Sequence, residues 1–257
     1  MPVGFGDDIM VTARVRGLHA RNPVPVLIQG MDGKPRWSEI WEHNPRIART
    51  SEEAGQTLRD GPGARPYLDY ARLTTKKFYF HPQSLEPGEI YLTETERSFC
   101  RRIVLIEPHV KQGASPNKDW GFERFQSLVR ARPDLPWAQC DYGARILEAV
   151  EPIKTSTFRE ACAVMSGALA AVLPEGGLHH AAAAFRVKAV VIFGAYIPPS
   201  VTGYPDHINL ARSVPEVEGL GPPDPRAQAA LASITVAEVA EKLADILSET
   251  SFSQGLK

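Results

Sequence analysis

The pattern of apolar and polar positions changes near residue 100 of this 257-residue chain. From Arg101 onward, short apolar runs alternate with segments in which apolar residues recur at helical spacing. The runs IVLI, WAQC, ALAAVL and KAVVIF suit buried strands, whereas the segment GFERFQSLVRA places Phe122, Phe125, Leu128 and Val129 on one helix face. Strands separated by helices of this length predict βαβ units and a parallel sheet.

The second half continues in the same alternation. We expect helices in TFREACAVMSG and GLHHAAAAF, a strand in HINLA, and an amphipathic closing helix in TVAEVAEKLADIL. The segment 211–229 is rich in proline and is interpreted as a loop. Residues 101–250 are therefore predicted to form one α/β domain, followed by a disordered tail at 251–257.

The first hundred residues offer fewer apolar positions for a core. They predict one helix from about Asp8 to His19, a strand within PVPVLIQG, and strand pieces in KKFYF and EIYL. The other segments are polar and punctuated by proline. Residues 1–100 are therefore predicted to form a reduced N-terminal domain.

Composition and charge argue against several classes of protein. The net charge is −1, from 29 basic and 30 acidic residues, so no global field indicates nucleic acid as a partner. The three cysteines lack CxxC spacing, which argues against a disulfide framework and a zinc site. No apolar run reaches the roughly 18 residues of a spanning helix, and no signal peptide is recognisable. We expect a cytoplasmic protein without stable membrane insertion, with a peripheral position at the inner membrane face as the alternative.

In parallel α/β sheets, ligands bind in the loops that follow the carboxyl ends of the strands. Three loops take this position: PHVKQGASPNKDW, EGGLHH and GAYIPPSVTGYP. In the second loop, Gly176 and Gly177 allow a tight turn into a helix, whose free N–H groups around Leu178 attract phosphate. Glu175 can accept hydrogen bonds from hydroxyl groups, and His180 can donate one to a phosphate oxygen. An ordinary strand–turn–helix with a structural histidine is the alternative.

Two further segments carry candidate chemistry. Lys118 ends the first loop just before a helix, where its ammonium can reach a phosphate, and a solvated lysine is the alternative. In the opening GFGDD, Asp7 or Asp8 can cap the first helix or serve as a general base at a cleft. Ser115 and His109 are weaker candidates from the loop that contains Lys118.

Together these segments resemble the heptosyltransferase-like glycosyltransferases of family 9. GDDIMVTA, from Gly6 to Ala13, is similar to the family's glycine–aspartate opening, and GASPNKDWGFERF is similar to its GAS…K-x-W loop. EGGLHHAAAAFRVKAVVIFG is similar to its D-T-G-x-x-H signature, which ends in L-F-G. The resemblance implies an α/β fold of GT-B type, with two facing Rossmann-like parallel-sheet domains, here with a reduced N-terminal one that binds the acceptor.

The resemblance also implies an activity. A sugar would pass, with inversion and without a metal or another cofactor, from a nucleotide-diphospho-sugar to a hydroxyl of an acceptor glycan or another acceptor. Asp7 would be the base, and Asp8 its substitute. The implied donor-binding residues contact the diphosphate or the sugar hydroxyls: Lys118, Glu175, Gly176, Gly177, Leu178 and His180.

Three departures from the family pattern leave alternatives open. No strand precedes Gly6 in the sequence, the first domain is short for acceptor binding, and Glu175 stands where the family has aspartate. A non-catalytic relative that binds nucleotide sugars would account for the reduced first half. A glycosyltransferase that acts on a modified nucleobase in DNA would account for the small acceptor side.

Overall fold

The computed structural model describes residues 4–30, 32–59, 67–69, 71, 72, 74, 77–81, 85–111, 113, 115–214 and 221–254, with side chains as far as Glu249. Within these ranges, every strand belongs to one of two sheets, and all strand pairs are parallel. This confirms the predicted α/β class.

The smaller sheet follows a long helix, α1 (Phe5–Arg21), and has three strands: β1 (Val26–Gln29), β2 (Ile47–Ala48) and β3 (Gln56–Arg59). β1 lies in the centre, so Val26 pairs with both Ile47 and Gln56. A 3₁₀ turn (Glu39–Trp41) lies between β1 and β2. Only β1 is predicted by the sequence, because β2 has two residues and β3 alternates polar and half-buried positions.

The larger sheet has six strands: β4 (Val104–Ile106), β5 (Trp137–Asp141), β6 (Glu151–Lys154), β7 (Ala170–Pro174), β8 (Ala189–Ile192) and β9 (Ile208–Leu210). Their order is β6-β5-β4-β7-β8-β9, so β4 and β7 lie at the centre. The helices that accompany them are α2 (Glu94–Arg97), α3 (Phe122–Ala131), α4 (Phe158–Ser166), α5 (Gly177–Ala184), α6 (Pro199–Thr202), α7 (Pro225–Ser233) and α8 (Val236–Gln254).

Alternate residues of the central strands face two different cores. Leu105 and Leu173 point into a core that also contains Val15 of α1 and Val26 of β1, and we call this the shared core. Val104 lies in the opposite core, with residues of α3 and α8. The smaller sheet therefore lies on one side of the larger sheet and is connected to it through α1 and α5, which pack against each other.

The strands and helices predicted for the second half are confirmed, but β6, α6 and α7 were not predicted, and α6 lies in the predicted loop GAYIPPSVTGYP. β6 is missed because EPIK has one buried residue among charged and proline positions, as suits an edge strand. The predicted loop 211–229 is wrong from Pro225 onward, where Asp224 caps α7 and Pro225 occupies its first turn. α8 continues to Gln254, so the start of the predicted tail is helical, and residues 255–257 lie outside the described residues.

The predicted strands in KKFYF and EIYL are wrong for the residues described. Phe80 forms a single bridge with Leu68, and residues 89–92 cross α1 without a strand neighbour. The Glu89 N–H donates to the Thr12 hydroxyl at 2.6 Å, so a side chain supplies the partner that a sheet would supply. Gly88 allows this approach, because a Cβ there would lie 2.3 Å from the Ile9 carbonyl oxygen.

Among the described helices, none combines the length and apolarity needed to cross a membrane. Cys100, Cys140 and Cys162 are free thiols.

Candidate functional site

A cavity of about 330 Å³ opens at the carboxyl ends of four neighbouring strands of the larger sheet. The residues that follow these strands in the wall are Thr155 after β6, Tyr142 after β5, Glu107 after β4 and Glu175 after β7. Small-molecule sites in proteins have volumes of about 300–1,000 Å³. The cavity therefore lies at the edge of the sheet that the rule of carboxyl-end loops selects, although the loops after β5 and β6 were not selected from the sequence.

The first turn of α5 forms one wall of the cavity. Gly176, Gly177 and Leu178 line it, as the sequence predicts. A Cβ on Gly177 would lie 2.8 Å from the Phe158 ring, so glycine lets the start of α5 approach the start of α4. The first N–H groups of a helix have no partner within the helix and carry a partial positive charge. This wall is suited to an anion.

Lys118 and Glu175 form an ion pair in the cavity wall. The Lys118 ammonium donates to Glu175 Oε2 at 2.5 Å, and both side chains are about nine-tenths buried. The ammonium also lies 5.4 Å from the centre of the Tyr196 ring. Lys118 is therefore a fixed charge beside the first turn of α5, and the alternative of a solvated lysine is wrong.

The loop before α3 holds Lys118 in place. Ser115 is buried and accepts a hydrogen bond from the Asn117 N–H at 3.2 Å, which caps the 3₁₀ turn Pro116–Lys118. Asn117 in turn accepts from the Asp224 N–H at 2.8 Å. Ser115 is not among the cavity-lining residues, so its role here is to shape the loop.

Glu107 and Tyr142 are cavity residues that the sequence analysis missed. Glu107 Oε1 accepts hydrogen bonds from the His109 N–H at 2.9 Å and from the Tyr142 hydroxyl at 3.3 Å. Burial raises the pKa of Glu107 to about 7, and these two donors only partly oppose the rise. The available signal was positional, since both residues follow the carboxyl end of a predicted strand.

His109 also lines the cavity. Its ring lies 5.7 Å from the Phe122 ring and 6.4 Å from the Tyr142 ring, and its Nε2 is 2.6 Å from the Arg145 carbonyl oxygen. The ring is therefore held against two aromatic side chains.

His180 lies outside the cavity wall. Its ring contacts the backbone of α1 at Gly6, where a Cβ would lie 2.6 Å from His180 Cδ2. Its Nδ1 is 2.8 Å from the Tyr204 hydroxyl. Burial, together with the nearby His207 and Lys118, lowers the pKa of His180 to about 3. The ring is neutral at physiological pH and connects α5 to α1.

The opening GFGDD forms the first turn of α1, which begins at Phe5 and not at Asp8 as predicted. Asp7 is buried, and its carboxylate accepts from the Gly4 N–H at 3.2 Å and from the Tyr67 hydroxyl at 2.5 Å. Asp7 therefore bonds back to Gly4, the N-cap residue of α1, and Asp8 does not cap the helix. Asp8 accepts from Arg36 and Ser38, each at 2.6 Å, and so joins α1 to the loop after β1.

One group of described side chains has the composition of a metal site. Ligand-type atoms of Glu175, His179 and His180 lie within 4.8 Å of one another. The His179 ring already contacts the Thr202 carbonyl oxygen at 2.8 Å and Gly176 at 3.1 Å. Glu175 already forms an ion pair with the Lys118 ammonium. The contacts of this group therefore favour an ion pair at Glu175 and a structural role for His179 over a metal site.

The structure thus separates the predicted site residues into two sets. The first set lines the cavity: His109, Lys118, Glu175, Gly176, Gly177 and Leu178. The second set is buried beside α1 or in the loop before α3: Asp7, Asp8, Ser115 and His180. The cavity set includes the residues predicted to contact the diphosphate, apart from His180.

No protein-family model matches this chain, and no curated protein matches it in sequence. Among solved structures, the E. coli ADP-heptose lipopolysaccharide heptosyltransferase II is 15% identical, with 97% of this chain and 98% of that chain covered at a TM-score of 0.62. A family 9 glycosyl transferase from Veillonella parvula is 14% identical, with coverages of 97% and 96% and a TM-score of 0.64. The iron-containing dodecameric glycosyltransferase TibC from enterotoxigenic E. coli is 15% identical, with coverages of 97% and 75% and a TM-score of 0.61. This chain has the fold of these glycosyltransferases, as the resemblance implied.

Proposed function

We propose that this chain is an inverting glycosyltransferase that transfers a sugar from a nucleotide-diphospho-sugar to an acceptor hydroxyl without a metal or another cofactor. The observation that carries the proposal is the fixed Lys118 ammonium beside the first turn of α5 in a cavity of about 330 Å³. A lysine and helix N–H groups are suited to bind a diphosphate. The glycosyltransferase fold supports the same function.

The same groups would assist the reaction. Negative charge grows on the diphosphate as the bond to the sugar breaks, and fixed positive groups stabilise that charge. Lys118 and the N–H groups of Gly177 and Leu178 take this role. Glu175 holds the ammonium through one oxygen and offers its carboxylate to hydroxyls of the donor. The positive charge that a metal would supply comes from Lys118 in this proposal.

Asp7 is the proposed general base. A base must come within hydrogen-bond distance of the proton that it removes. In the structure, Asp7 Oδ1 accepts a hydrogen bond of 2.5 Å from the hydroxyl of Tyr67. An acceptor hydroxyl that replaced Tyr67 there would be placed for deprotonation.

The covered position of Asp7 also favours a second candidate, a non-catalytic protein that binds nucleotide sugars. Asp7 is 5% exposed and is not among the residues that line the cavity. In this alternative, Asp7 only bonds back to Gly4 at the start of α1, and the donor site binds without transfer.

Donor binding is tested by calorimetry with ADP, GDP and UDP. We expect at least one to bind, and Lys118→Ala to weaken that binding about tenfold or more, because a charge-assisted contact is lost. Lys154→Ala removes an exposed lysine outside the cavity and is the matched control. Equal affinity in the two variants would refute the assignment of the diphosphate site.

Transfer is tested by the release of nucleoside diphosphate from the matching nucleotide sugar, with proton NMR to record the anomeric configuration of the product. We expect an inverted product, no inhibition by EDTA, and loss of turnover in Asp7→Asn with unchanged donor affinity. Asp69→Asn is the control, since Asp69 serves a turn between residues 69 and 71. A wild type that binds the donor without turnover would instead support the non-catalytic candidate.

A further inference from the structure

A hydroxyl of the chain itself faces the proposed general base. The Tyr67 hydroxyl donates to Asp7 Oδ1 at 2.5 Å, and the Gly4 N–H donates to the other oxygen, Oδ2, at 3.2 Å. The bond from Gly4 orients the carboxylate so that Oδ1 is turned towards Tyr67. A distance of about 2.5–2.7 Å is typical of a hydroxyl that donates to a carboxylate. Such a hydroxyl is placed to give up its proton as its oxygen attacks.

The surroundings of Tyr67 hold this hydroxyl in one position. Tyr67 is 7% exposed, and its ring belongs to a buried apolar cluster with Met10 of α1 and Ile197 of the loop after β8. Its carbonyl oxygen accepts a hydrogen bond from the His81 N–H at 2.8 Å, which fixes the backbone. A reacting oxygen that is already held beside its base needs little further ordering before it reacts.

The first turn of α1, which carries Asp7, borders the donor cavity. Gly6 packs against the start of α5, since a Cβ on the cavity residue Gly177 would lie 3.7 Å from the Gly6 nitrogen. The Phe5 ring stacks on Phe158, another residue of the cavity wall, with 4.7 Å between the ring centres. Asp7 therefore follows directly on two residues that contact the cavity wall.

A second row of contacts connects Tyr67 to the opposite side of the cavity. The Tyr67 ring lies 6.3 Å from the Phe80 ring, which lies 6.3 Å from the Tyr196 ring. The Lys118 ammonium, which is proposed to bind the diphosphate, lies 5.4 Å from the centre of the Tyr196 ring. Tyr67 is therefore placed between the first turn of α1 and the ring that contacts Lys118.

We propose that Tyr67 is a self-glycosylation site, whose hydroxyl oxygen accepts the sugar of the bound donor. The inference rests on the proposed function, because it uses the donor site and Asp7 as the base. The bond between the anomeric carbon and the diphosphate oxygen breaks, and a bond between that carbon and Tyr67 Oη forms. The Tyr67 proton passes to Asp7 Oδ1, and the nucleoside diphosphate leaves with the electron pair of the broken bond.

This reaction has a distinctive course. Asp7 and Tyr67 are buried against each other in the same chain, so the transfer is intramolecular and its rate does not depend on protein concentration. Each chain carries one such tyrosine beside its base. Without an added acceptor, release of nucleoside diphosphate therefore stops when every chain has been modified.

The experiment incubates the full chain with ADP-glucose, GDP-mannose or UDP-glucose and records intact mass, a peptide map and nucleoside diphosphate. We expect a mass gain of one glycosyl residue, located at Tyr67, with an equal amount of nucleoside diphosphate. Tyr67→Phe keeps the ring and Asp7→Asn keeps the shape of the base, so both should still bind the nucleoside diphosphate in calorimetry but gain no mass. Tyr79→Phe is the matched control from the same segment, since the Tyr79 ring contacts Arg72 and Lys77.

The remaining outcomes contradict the inference in distinguishable ways. Release of nucleoside diphosphate without a mass gain would overturn it and leave the proposed function intact. The same holds for a mass gain that persists in Tyr67→Phe or maps to Tyr142, whose side chain in the cavity wall is 52% exposed. A rate that rises with protein concentration would show transfer between chains and overturn it too. If no donor releases its nucleoside diphosphate, the proposed transfer fails, and this inference fails with it.

Discussion

At the scale of single residues, three buried histidines make the fold sensitive to acid. The His179 ring lies 4.1 Å from the His180 ring and 5.8 Å from the His207 ring. Burial is the main cause that lowers the pKa of His180 to about 3, of His207 to about 4, and of His179 well below its usual value. Protonating one of these rings would place a positive charge beside the two other buried rings.

The sign of the pH dependence follows from these shifts. A histidine near 6.5 when unfolded takes up protons as the pH falls, while the folded rings stay neutral. Stability from the cluster is thus present above pH 6.5 and is lost as the pH falls towards 4. Glu107 acts in the opposite sense, because its raised pKa gives stability below 4.5 that is lost as the pH rises through 7. Because three histidines lose stability and one carboxyl gains it as the pH falls, the histidines decide the sign of the net change in the free energy of unfolding.

We therefore expect the free energy of unfolding, measured by urea titration, to fall between pH 7 and pH 4.5. His207→Gln should reduce the slope by up to about 1.4 kcal/mol per pH unit, since one linked proton is removed. His81→Gln, at an exposed histidine, is the control variant. Identical slopes in the wild type and His207→Gln would show that His207 does not titrate in this way.

The sequence predicts some site residues and misses others for physical reasons. Glu175, Gly177 and Lys118 belong to local motifs, because a turn that binds phosphate is built from neighbours in the chain. Glu107 was missed, because a single acidic residue at the end of a strand has no local pattern. The contact between Tyr67 and Asp7 joins residues 60 positions apart, and no local spacing encodes it.

At the scale of elements, the packing of α1 against α5 depends on a glycine. A Cβ at Gly6 would lie 2.6 Å from His180 Cδ2, whereas a Cβ at Gly17 of the same helix would meet nothing within 4 Å. Gly6→Ala should destabilise the protein by about 1–3 kcal/mol through overpacking. Gly17→Ala should be neutral or stabilising by up to about 1 kcal/mol, because alanine favours the helix. Urea titration of both variants gives the comparison, and equal effects would contradict this contact.

The sequence predicted strands correctly where both faces of the strand are buried. β4, β7 and β8 are fully buried on both faces, so their continuous apolar runs are distinctive. EIYL also contains apolar and aromatic residues, but side chains supply its backbone partners: Thr12 accepts from the Glu89 N–H, and Arg159 donates to the Tyr91 carbonyl. Composition does not report such tertiary contacts. α7 was missed because its start is rich in proline, which is a signal for a loop and also for a first helical turn.

At the scale of the whole molecule, Arg159 of α4 connects the larger sheet to the segments around the smaller one. Its guanidinium donates to both oxygens of Glu96, at 2.6 and 2.8 Å. It also donates to the carbonyl oxygens of Glu39 at 3.0 Å and of Tyr91 at 2.7 Å. Although burial opposes ionisation of Glu96, the hydrogen bonds from Arg159 and Thr93 hold its pKa at about 2.

We expect the loss of the Arg159 contacts to lower the free energy of unfolding substantially. Arg159→Met leaves Glu96 with its Thr93 donors alone and removes the donor of three carbonyl groups. Breaking a buried ion pair costs about 3–5 kcal/mol, and we expect the lower end of that range because Glu96 is only partly buried. Arg130→Met breaks an exposed pair with Glu148 and should cost about 1 kcal/mol or less. The pKa of Glu96 is lowered, so the stability that its ion pair with Arg159 contributes is present above pH 4.5 and is lost as the pH falls towards 2. Urea titration at pH 7 should therefore separate the two variants clearly, and the gap should narrow near pH 3. A loss in Arg159→Met no larger than in Arg130→Met would mean that the two sheets are held together by the shared core alone.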